Sequence, residues 1–373
     1  MIVGVPKEIK NAERRVGLTP ASVRELVAHG HAVVVETAAG LGIGAADADY
    51  EAAGATIAPS GIEVFADAEL IVKVKEPQAS ERAWLREGQV LFTYLHLAPD
   101  PTQTADLIAS GATCIAYETV TDGRGGLPLL APMSQVAGRM SIQAGAHCLE
   151  SAQGGAGLLL GGVPGVAPGK VVVIGGGVVG ENAIQMAVGL DADVTVLDRD
   201  VTVLDRLSRR FGSMLDTIYS TRTALDDHVI DADLVIGAVL VRGSRAPHLV
   251  TAAMVAQMRA GSVLVDVAID QGGCLETSHA TTHEDPTYVV DGVVHYCVAN
   301  MPGAVPRTST YALNNVTLPF ALALADRGPK EALLADPHFR GGLNVCGGMV
   351  TEDAVAEALG YDYVDPATAL AAL

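Results

Sequence analysis

Residues 170–180 constrain this chain more than any other stretch. Lys170–Ile174 is a β-rich apolar run, and Gly175-Gly176-Gly177-Val178-Val179-Gly180 follows it directly with the spacing GxGxxG. A buried strand that feeds a glycine-rich turn and then a helix is the βα unit of a dinucleotide-binding sheet. Each glycine has its own reason. Gly175 permits the tight turn, Gly177 lets a pyrophosphate approach the backbone, and Gly180 lets the helix pack on the strand. The helix N-terminus adds unpaired N–H groups and the positive end of its dipole. Asp198 closes the next apolar run, about 20 residues on, where a carboxylate grips the ribose hydroxyls. The same charge repels a 2′-phosphate, which favours NAD over NADP; Arg199 beside it pulls the other way. The spacing alone also fits a glycine-rich structural turn. Strand, helix and acid in register favour the cofactor, and they say nothing about a substrate.

The same strand–helix alternation runs through the rest of the chain. Ile2–Val5, His31–Glu36, Leu70–Val74 and Gln89–Leu95 read as strands. A helix starts at Pro20 behind the N-cap Thr19 and ends before Gly30, and Asp47–Ala53 is a short helix closed by Gly54. Ser134–Gln153 is helical and is followed by a Gly/Pro-rich break at 154–169. Asp193–Leu197, Leu234–Leu240 and Ser262–Ile269 are further strands, and Val289–Val298 is a strand pair or one long strand. Glu181–Leu190, Val201–Phe211 and Thr251–Met258 are helices between them. Arg307–Arg327 predicts one long apolar helix, and Thr351–Leu359 a short one ended by Gly360. Repeated βα units imply parallel sheets covered on both faces, so the fold class is α/β, and 373 residues suffice for two doubly wound domains.

Charge and composition exclude several classes. Lys and Arg total 24 against 43 Asp and Glu, a net charge of −19. That balance argues against a nucleic-acid partner and against an anionic membrane surface. A hydrophobic content of 49% excludes intrinsic disorder. Apolar stretches such as Val316–Ala325 fall short of the ~20 residues that span a bilayer. The N-terminus shows no signal-peptide pattern. Five scattered cysteines, with no CxxC pair, suggest buried thiols in a reducing compartment and no zinc site. A soluble, cytoplasmic protein is expected.

Four polar segments carry candidates for chemistry. Arg14 and Arg15 follow the first strand, where an Arg suits bidentate carboxylate binding; a solvated pair is the plainer reading. Lys73 and Lys75 alternate along IVKVKEP and share a face. Lys75, beside the Glu76-Pro77 turn, is the better candidate for a ligand crevice; a lysine guarding an edge strand is equally compatible. His96 follows an apolar strand and has the range for proton transfer near neutral pH, although a lone His is more often structural. Asp270 terminates Val263–Ile269 and precedes Gln271-Gly272-Gly273, either facing the crevice of an open sheet or capping a turn. The other histidines show no metal-ligand spacing.

Together the stretches MIVGVPKEIKNAERRVGLTP, IVKVKEP, LFTYLHLAPD, APMSQVAGRMSIQAGA, VVVIGGGVVGENA, ADLVIGAVLV, VLVDVAIDQGGC and YCVANMPGAVPRTSTYALNN resemble the alanine dehydrogenase family, related to the NAD-binding subunit of proton-translocating transhydrogenase. The resemblance implies reversible, NAD-dependent oxidative deamination of L-alanine to pyruvate and ammonium. It implies that Arg15 and Lys75 bind the substrate carboxylate and carbonyl region, with His96 and Asp270 as proton donors and acceptors. It implies NAD contacts from Ser134, Val178, Val179, Asp198, Ser220, Val239, Leu240, Val267, Ala268, Ile269, Asp270, Val298, Ala299, Asn300 and Met301, besides the glycines. A discontinuous substrate domain, residues 1–128 and 307–373, would flank a Rossmann domain at 129–306, in a homohexamer. Val203 and His279 stand where some relatives carry basic residues, which bears on adenosine affinity. Ala323 and Arg327 stand at potential metal-ligand positions of some relatives, so no metal is expected. The nearest alternative is a transhydrogenase domain I-like subunit without an amino-acid substrate. A saccharopine- or lysine-type dehydrogenase and a non-catalytic NAD-dependent regulator are more remote.

Overall fold

The computed structural model describes residues 1–239 and 247–372. Its strands are β1 (Ile2–Val5), β2 (Ala32–Glu36), β3 (Thr56–Ala58), β4 (Leu70–Val72), β5 (Val90–Thr93), β6 (Thr113–Ala116), β7 (Lys170–Ile174), β8 (Asp193–Asp198), β9 (Asp216–Tyr219), β10 (Leu234–Gly237), β11 (Val263–Asp266), β12 (Thr287–Val290), β13 (Val293–Tyr296), β14 (Leu343–Cys346) and β15 (Met349–Val350). The chain divides into two compact units, Met1–Met133 with Val305–Leu373, and Ser134–Ala304.

The first unit holds a sheet in the order β15-β14-β6-β5-β4-β1-β2-β3. It is parallel except that β14 runs antiparallel to β6 and to β15. Successive side chains alternate between two cores, as the strand period requires. Val3, Val5, Leu70, Val72 and Phe92 enter one core, and Ile71, Leu91 and Cys114 enter the other. That is why these strands read as unbroken apolar runs rather than alternating ones.

The second unit holds the order β12-β13-β11-β10-β7-β8-β9, parallel apart from the β12–β13 hairpin. Counted from its own first strand, each sheet winds outward one way and then reverses: between β1 and β4 in the first, between β7 and β10 in the second. Both units are therefore doubly wound α/β folds, and such folds bind ligands at the carboxyl ends of the strands beside the reversal.

Helix signals match closely at several termini. Thr19 caps the helix Pro20–Ala28, its hydroxyl accepting the Ser22 N–H at 3.2 Å. Asp200 caps Val201–Phe211, and Gly360 closes Asp353–Leu359. The expected helix Arg307–Arg327 runs instead over Pro306–Ala335, broken at Gly328 (φ 77°, ψ 160°), after which Pro329 restarts it. The expected helix Thr251–Met258 is confined to Ala252–Val255. Strands β3, β6, β9, β14 and β15 are not among those read from the sequence; none exceeds four residues.

Three strands end earlier than the sequence predicts, each because a side-chain carboxylate takes the next amides. The strand expected over Leu70–Val74 stops at Val72, where Glu8 Oε1 accepts the N–H groups of Val74 (2.7 Å) and Lys75 (3.3 Å). The one expected over Gln89–Leu95 stops at Thr93, and Glu118 accepts the Leu95 and His96 N–H groups. The one expected over Ser262–Ile269 stops at Asp266, whose own Oδ1 accepts the Ala268 N–H at 3.0 Å. The strand expected over Leu234–Leu240 ends at Gly237, and Leu240 lies outside the described residues. Among the described residues no helix is long and apolar enough to cross a membrane, and all five cysteines are buried thiols.

Candidate functional site

In the first unit the loop after β1 carries Glu8, Glu13 and Arg15, the segment after β4 carries Lys73 and Lys75, and the segment after β5 carries His96. These three strands are neighbours at the reversal of the sheet. The two arginines separate: Arg14 is exposed and Arg15 is only 2% exposed. The buried one is held by a neighbour that sequence reading passed over. Glu13 accepts Arg15 Nε at 2.7 Å and Nη2 at 2.5 Å, a two-pronged grip on the guanidinium, while Nη1 points at Met133 Sδ, 3.1 Å away. A cleft of about 290 Å³ opens beside it, lined by Lys7, Glu8, Glu13, Arg14 and Arg15, with Ala38, Ala39, Leu41 and Gly42 opposite. Lys75 and His96 do not line this cleft.

The two lysines also part company. β4 lies between β5 and β1, so neither lysine guards an edge. Lys73 is fully buried, its Nζ donating to Glu8 Oε2 (3.1 Å) and Glu81 Oε1 (2.6 Å). Burial pulls its pKa down, and the two carboxylates outweigh that and raise it, so Lys73 is a charged structural pair. Burial raises the Glu8 pKa, with Lys73 and the Val74 amide opposing. Lys75 is half-buried, and its amide shares Glu8 Oε1 with Val74.

His96 adopts φ 50°, a left-handed conformation uncommon for a non-glycine residue. Glu118 holds it there, accepting the His96 N–H at 2.6 Å. The side chain is 47% exposed, with Nδ1 3.7 Å from Glu118 Oε1, an ion-pair distance once the ring is protonated. Its ring lies parallel to that of Tyr94 at 5.9 Å. The Tyr94 hydroxyl donates to Leu129 O at 2.6 Å; burial raises its pKa, and the charge of Arg15 opposes that. Tyr94 thus lies near both Arg15 and His96. Glu13, Glu118 and Tyr94 were missed. EIKNAERR does contain Glu13 two residues from Arg15, but nothing local says that the pair is buried.

The second unit lines up the remaining candidates along the carboxyl ends of its strands. Gly175 has φ 99°, and Gly177 caps the helix Val178–Gly189. A Cβ on Gly180 would stand 1.8 Å from Gly175 O, so only glycine fits that contact. Asp198 ends β8, its Oδ2 accepting the Gly176 N–H at 2.6 Å. Ser220 follows β9 and donates its N–H to Asp198 O at 2.9 Å. Val239 follows β10, Val267–Asp270 follow β11, and Val298–Met301 follow β13. Gly138 packs against Val179 O, and Ser134 lies one helical turn before it in Ala131–Cys148. Leu240 lies outside the described residues.

Asp270 needs a correction. It does not terminate β11; it is exposed in a one-turn 3-10 helix, Ile269–Gln271. The carboxylate at the strand end is the buried Asp266, which sequence reading did not single out.

These residues fit NAD. Nothing lies within 4 Å of where a Gly177 Cβ would stand, so the backbone is open at the point where a diphosphate must come close. The helix behind it offers N-terminal amides, and Asp198, tied to the same loop, ends its strand where this kind of fold would place an acid against a ribose.

Comparison with known proteins agrees. The family models "Alanine dehydrogenase/PNT, N-terminal domain" and "Alanine dehydrogenase/PNT, C-terminal domain" match residues 4–137 and 141–353. An alanine dehydrogenase of Halomonas elongata is 63% identical over 99% of both chains. One of Bacillus subtilis is 57% identical over 99% of this chain and 98% of its own. A solved L-alanine dehydrogenase superposes with a TM-score of 0.94 at 55% identity, covering 96% of this chain and 99% of that one. A transhydrogenase from Sinorhizobium meliloti is more distant, at TM-score 0.81 and 26% identity over 95% of this chain and 100% of that one. By its two α/β units, its glycine-rich turn and these full-length matches, the chain belongs to the alanine dehydrogenase/PNT family.

Proposed function

We infer that this chain is an NAD-dependent amino-acid dehydrogenase that converts L-alanine, NAD and water reversibly to pyruvate, ammonium, NADH and a proton. The observation that carries the reading is the full-length likeness to alanine dehydrogenases. NAD, when bound, supplies the hydride acceptor at its nicotinamide C4.

The protein's residues take the other parts. Arg15 and Lys75 hold the substrate carboxylate and carbonyl region, which removes orientational freedom from the barrier. Glu13 keeps the Arg15 fork in one plane. His96 moves the proton, taking it from the water that adds to the imine carbon and giving it to the departing amine. Asp270 places negative charge against the iminium. Gly175, Gly177, Gly180 and Asp198 hold the dinucleotide. In this reading the first unit is the substrate domain and the second the NAD-binding domain.

The direct test is NADH oxidation with pyruvate and ammonium, each omitted in turn. Turnover should require both. Glyoxylate and 2-oxobutyrate define the width of the pocket. Turnover with neither substrate, but with an NADP analogue as hydride partner, would instead support the transhydrogenase-like reading. His96→Ala should lower turnover by about 10²-fold or more and leave NADH affinity nearly intact. A homohexamer working in the cytoplasm completes the proposal: family resemblance supports the assembly, and the acidic composition and five buried thiols support the compartment. Sedimentation velocity at micromolar protein checks the assembly, with a monomer as the contrary result.

A further inference from the structure

β11 ends on a buried carboxylate that the proposed reaction does not use. Asp266 Oδ1 accepts the Ala268 N–H at 3.0 Å. Oδ2 accepts the N–H groups of Cys274 (2.9 Å) and Leu275 (3.3 Å) and the Ser278 hydroxyl (2.6 Å). The Cys274 thiol lies 3.6 Å from Oδ1. All of these partners are neutral donors. Burying a carboxylate among neutral groups is costly, and an apolar residue would end the strand more cheaply.

The donors reveal what the carboxylate accomplishes. They come from both ends of one loop. The chain leaves β11, makes the turn Ile269–Gln271, reverses through Gly272 (φ 91°) and Gly273 (φ 79°), and returns at Cys274. Asp270 stands exposed within that loop. The returning segment packs on Gly237 of β10, where an added Cβ would meet Cys274 Sγ at 2.4 Å, and Val267 N–H donates to Gly237 O at 2.9 Å. The loop is thus closed on Asp266 and seated on β10.

We propose that Asp266 is a positioning residue for the deamination: it clasps the loop 267–274 at both ends and so fixes where Asp270 presents its charge. The proposal rests on the role given to Asp270 above. No bond to substrate or cofactor is assigned to Asp266 itself.

Asp266→Asn keeps the size of the side chain but turns an amide NH2 towards groups that donate. In the cofactor-free chain, hydrogen exchange at the amides of 268, 274 and 275 should speed up by about tenfold or more, while β7 and β8 keep their protection. In the assay, kcat for pyruvate reduction should fall by about tenfold. In an Asp270→Asn background the same change should cost less than about twofold, because a residue that acts through Asp270 has nothing left to position. Ser278→Ala removes one donor and leaves the carboxylate in place. It serves if Asp266→Asn does not fold, with an expected loss of about threefold that also vanishes beside Asp270→Asn. Unchanged exchange in the loop, or a loss that multiplies in full with that of Asp270→Asn, overturns the positioning role. Wild-type kcat in Asp270→Asn alone overturns the role of Asp270, and the positioning role falls with it.

Discussion

Glu13 grips Arg15 through Nε and Nη2, along one edge of the guanidinium, and both side chains are buried. The grip fixes the plane of the fork before any ligand arrives, so in the proposed reaction a substrate carboxylate would meet a cation already oriented. Glu13→Gln keeps one acceptor and loses the charge. It should raise KM for pyruvate by about tenfold and leave KM for NADH within about twofold. Equal rises in both constants would count against a local role. Arg15→Lys should behave similarly, since an ammonium cannot take the two-pronged partner.

The second and third glycines of the motif should fail differently. Gly177→Ala adds a methyl into open space, so the melting temperature should stay within about 2 °C while NADH binding weakens by about tenfold or more. Gly180→Ala forces its methyl against Gly175 O and should lower both stability and binding. Fluorescence titration with NADH and thermal melts on the two variants separate the cases. Normal NADH affinity in Gly177→Ala would remove that backbone from the diphosphate site.

Lys73 links Glu8 and Glu81 through one ammonium. Lys73→Met leaves two buried carboxylates facing each other without it, a loss of about 3–5 kcal/mol. Urea unfolding gives the number. A change below about 1 kcal/mol would mean that the carboxylates take up protons instead.

His295 is buried, with Nδ1 3.0 Å from Val293 O and Nε2 2.7 Å from Thr277 Oγ1. A carbonyl only accepts, so Nδ1 donates and the neutral Nε2 accepts from Thr277. Burial lowers the pKa below 6.5. The unfolded chain therefore takes up this proton at a higher pH than the fold does. The resulting stability is fully present above about pH 6.5 and is lost as the pH falls through the folded value. Urea midpoints between pH 7.5 and 5.5 should decline, and His295→Gln should decline less steeply. An unaltered slope in the variant would assign the effect to other groups.

The glycine motif of the second unit was legible because its signals are local. A β-branched run, three glycines and an acid at the end of the next strand all lie within thirty residues, and each is a backbone requirement. The first unit was less legible because its decisive contacts join segments far apart. Lys73 and Lys75 look alike in IVKVKEP; only Glu8, some 65 residues earlier, makes the first structural and leaves the second half-buried. Asp266 and Asp270 are likewise alike in VLVDVAIDQGG. The strand end goes to the one whose side chain captures amides eight residues on, which no periodicity reveals. Glu118, which sets the backbone of His96, sits 22 positions away in a segment with no motif.

The first sheet is finished only by β14, which pairs with β6 across about 230 intervening residues. During synthesis, at roughly 5–20 residues per second, the edge of β6 must wait roughly 10–50 s for its neighbour, while the whole of the second unit emerges as one contiguous piece. The nascent chain therefore completes its later-starting half first and carries the earlier one with an open hydrogen-bonding edge, the interval in which a ribosome-associated chaperone has most to protect.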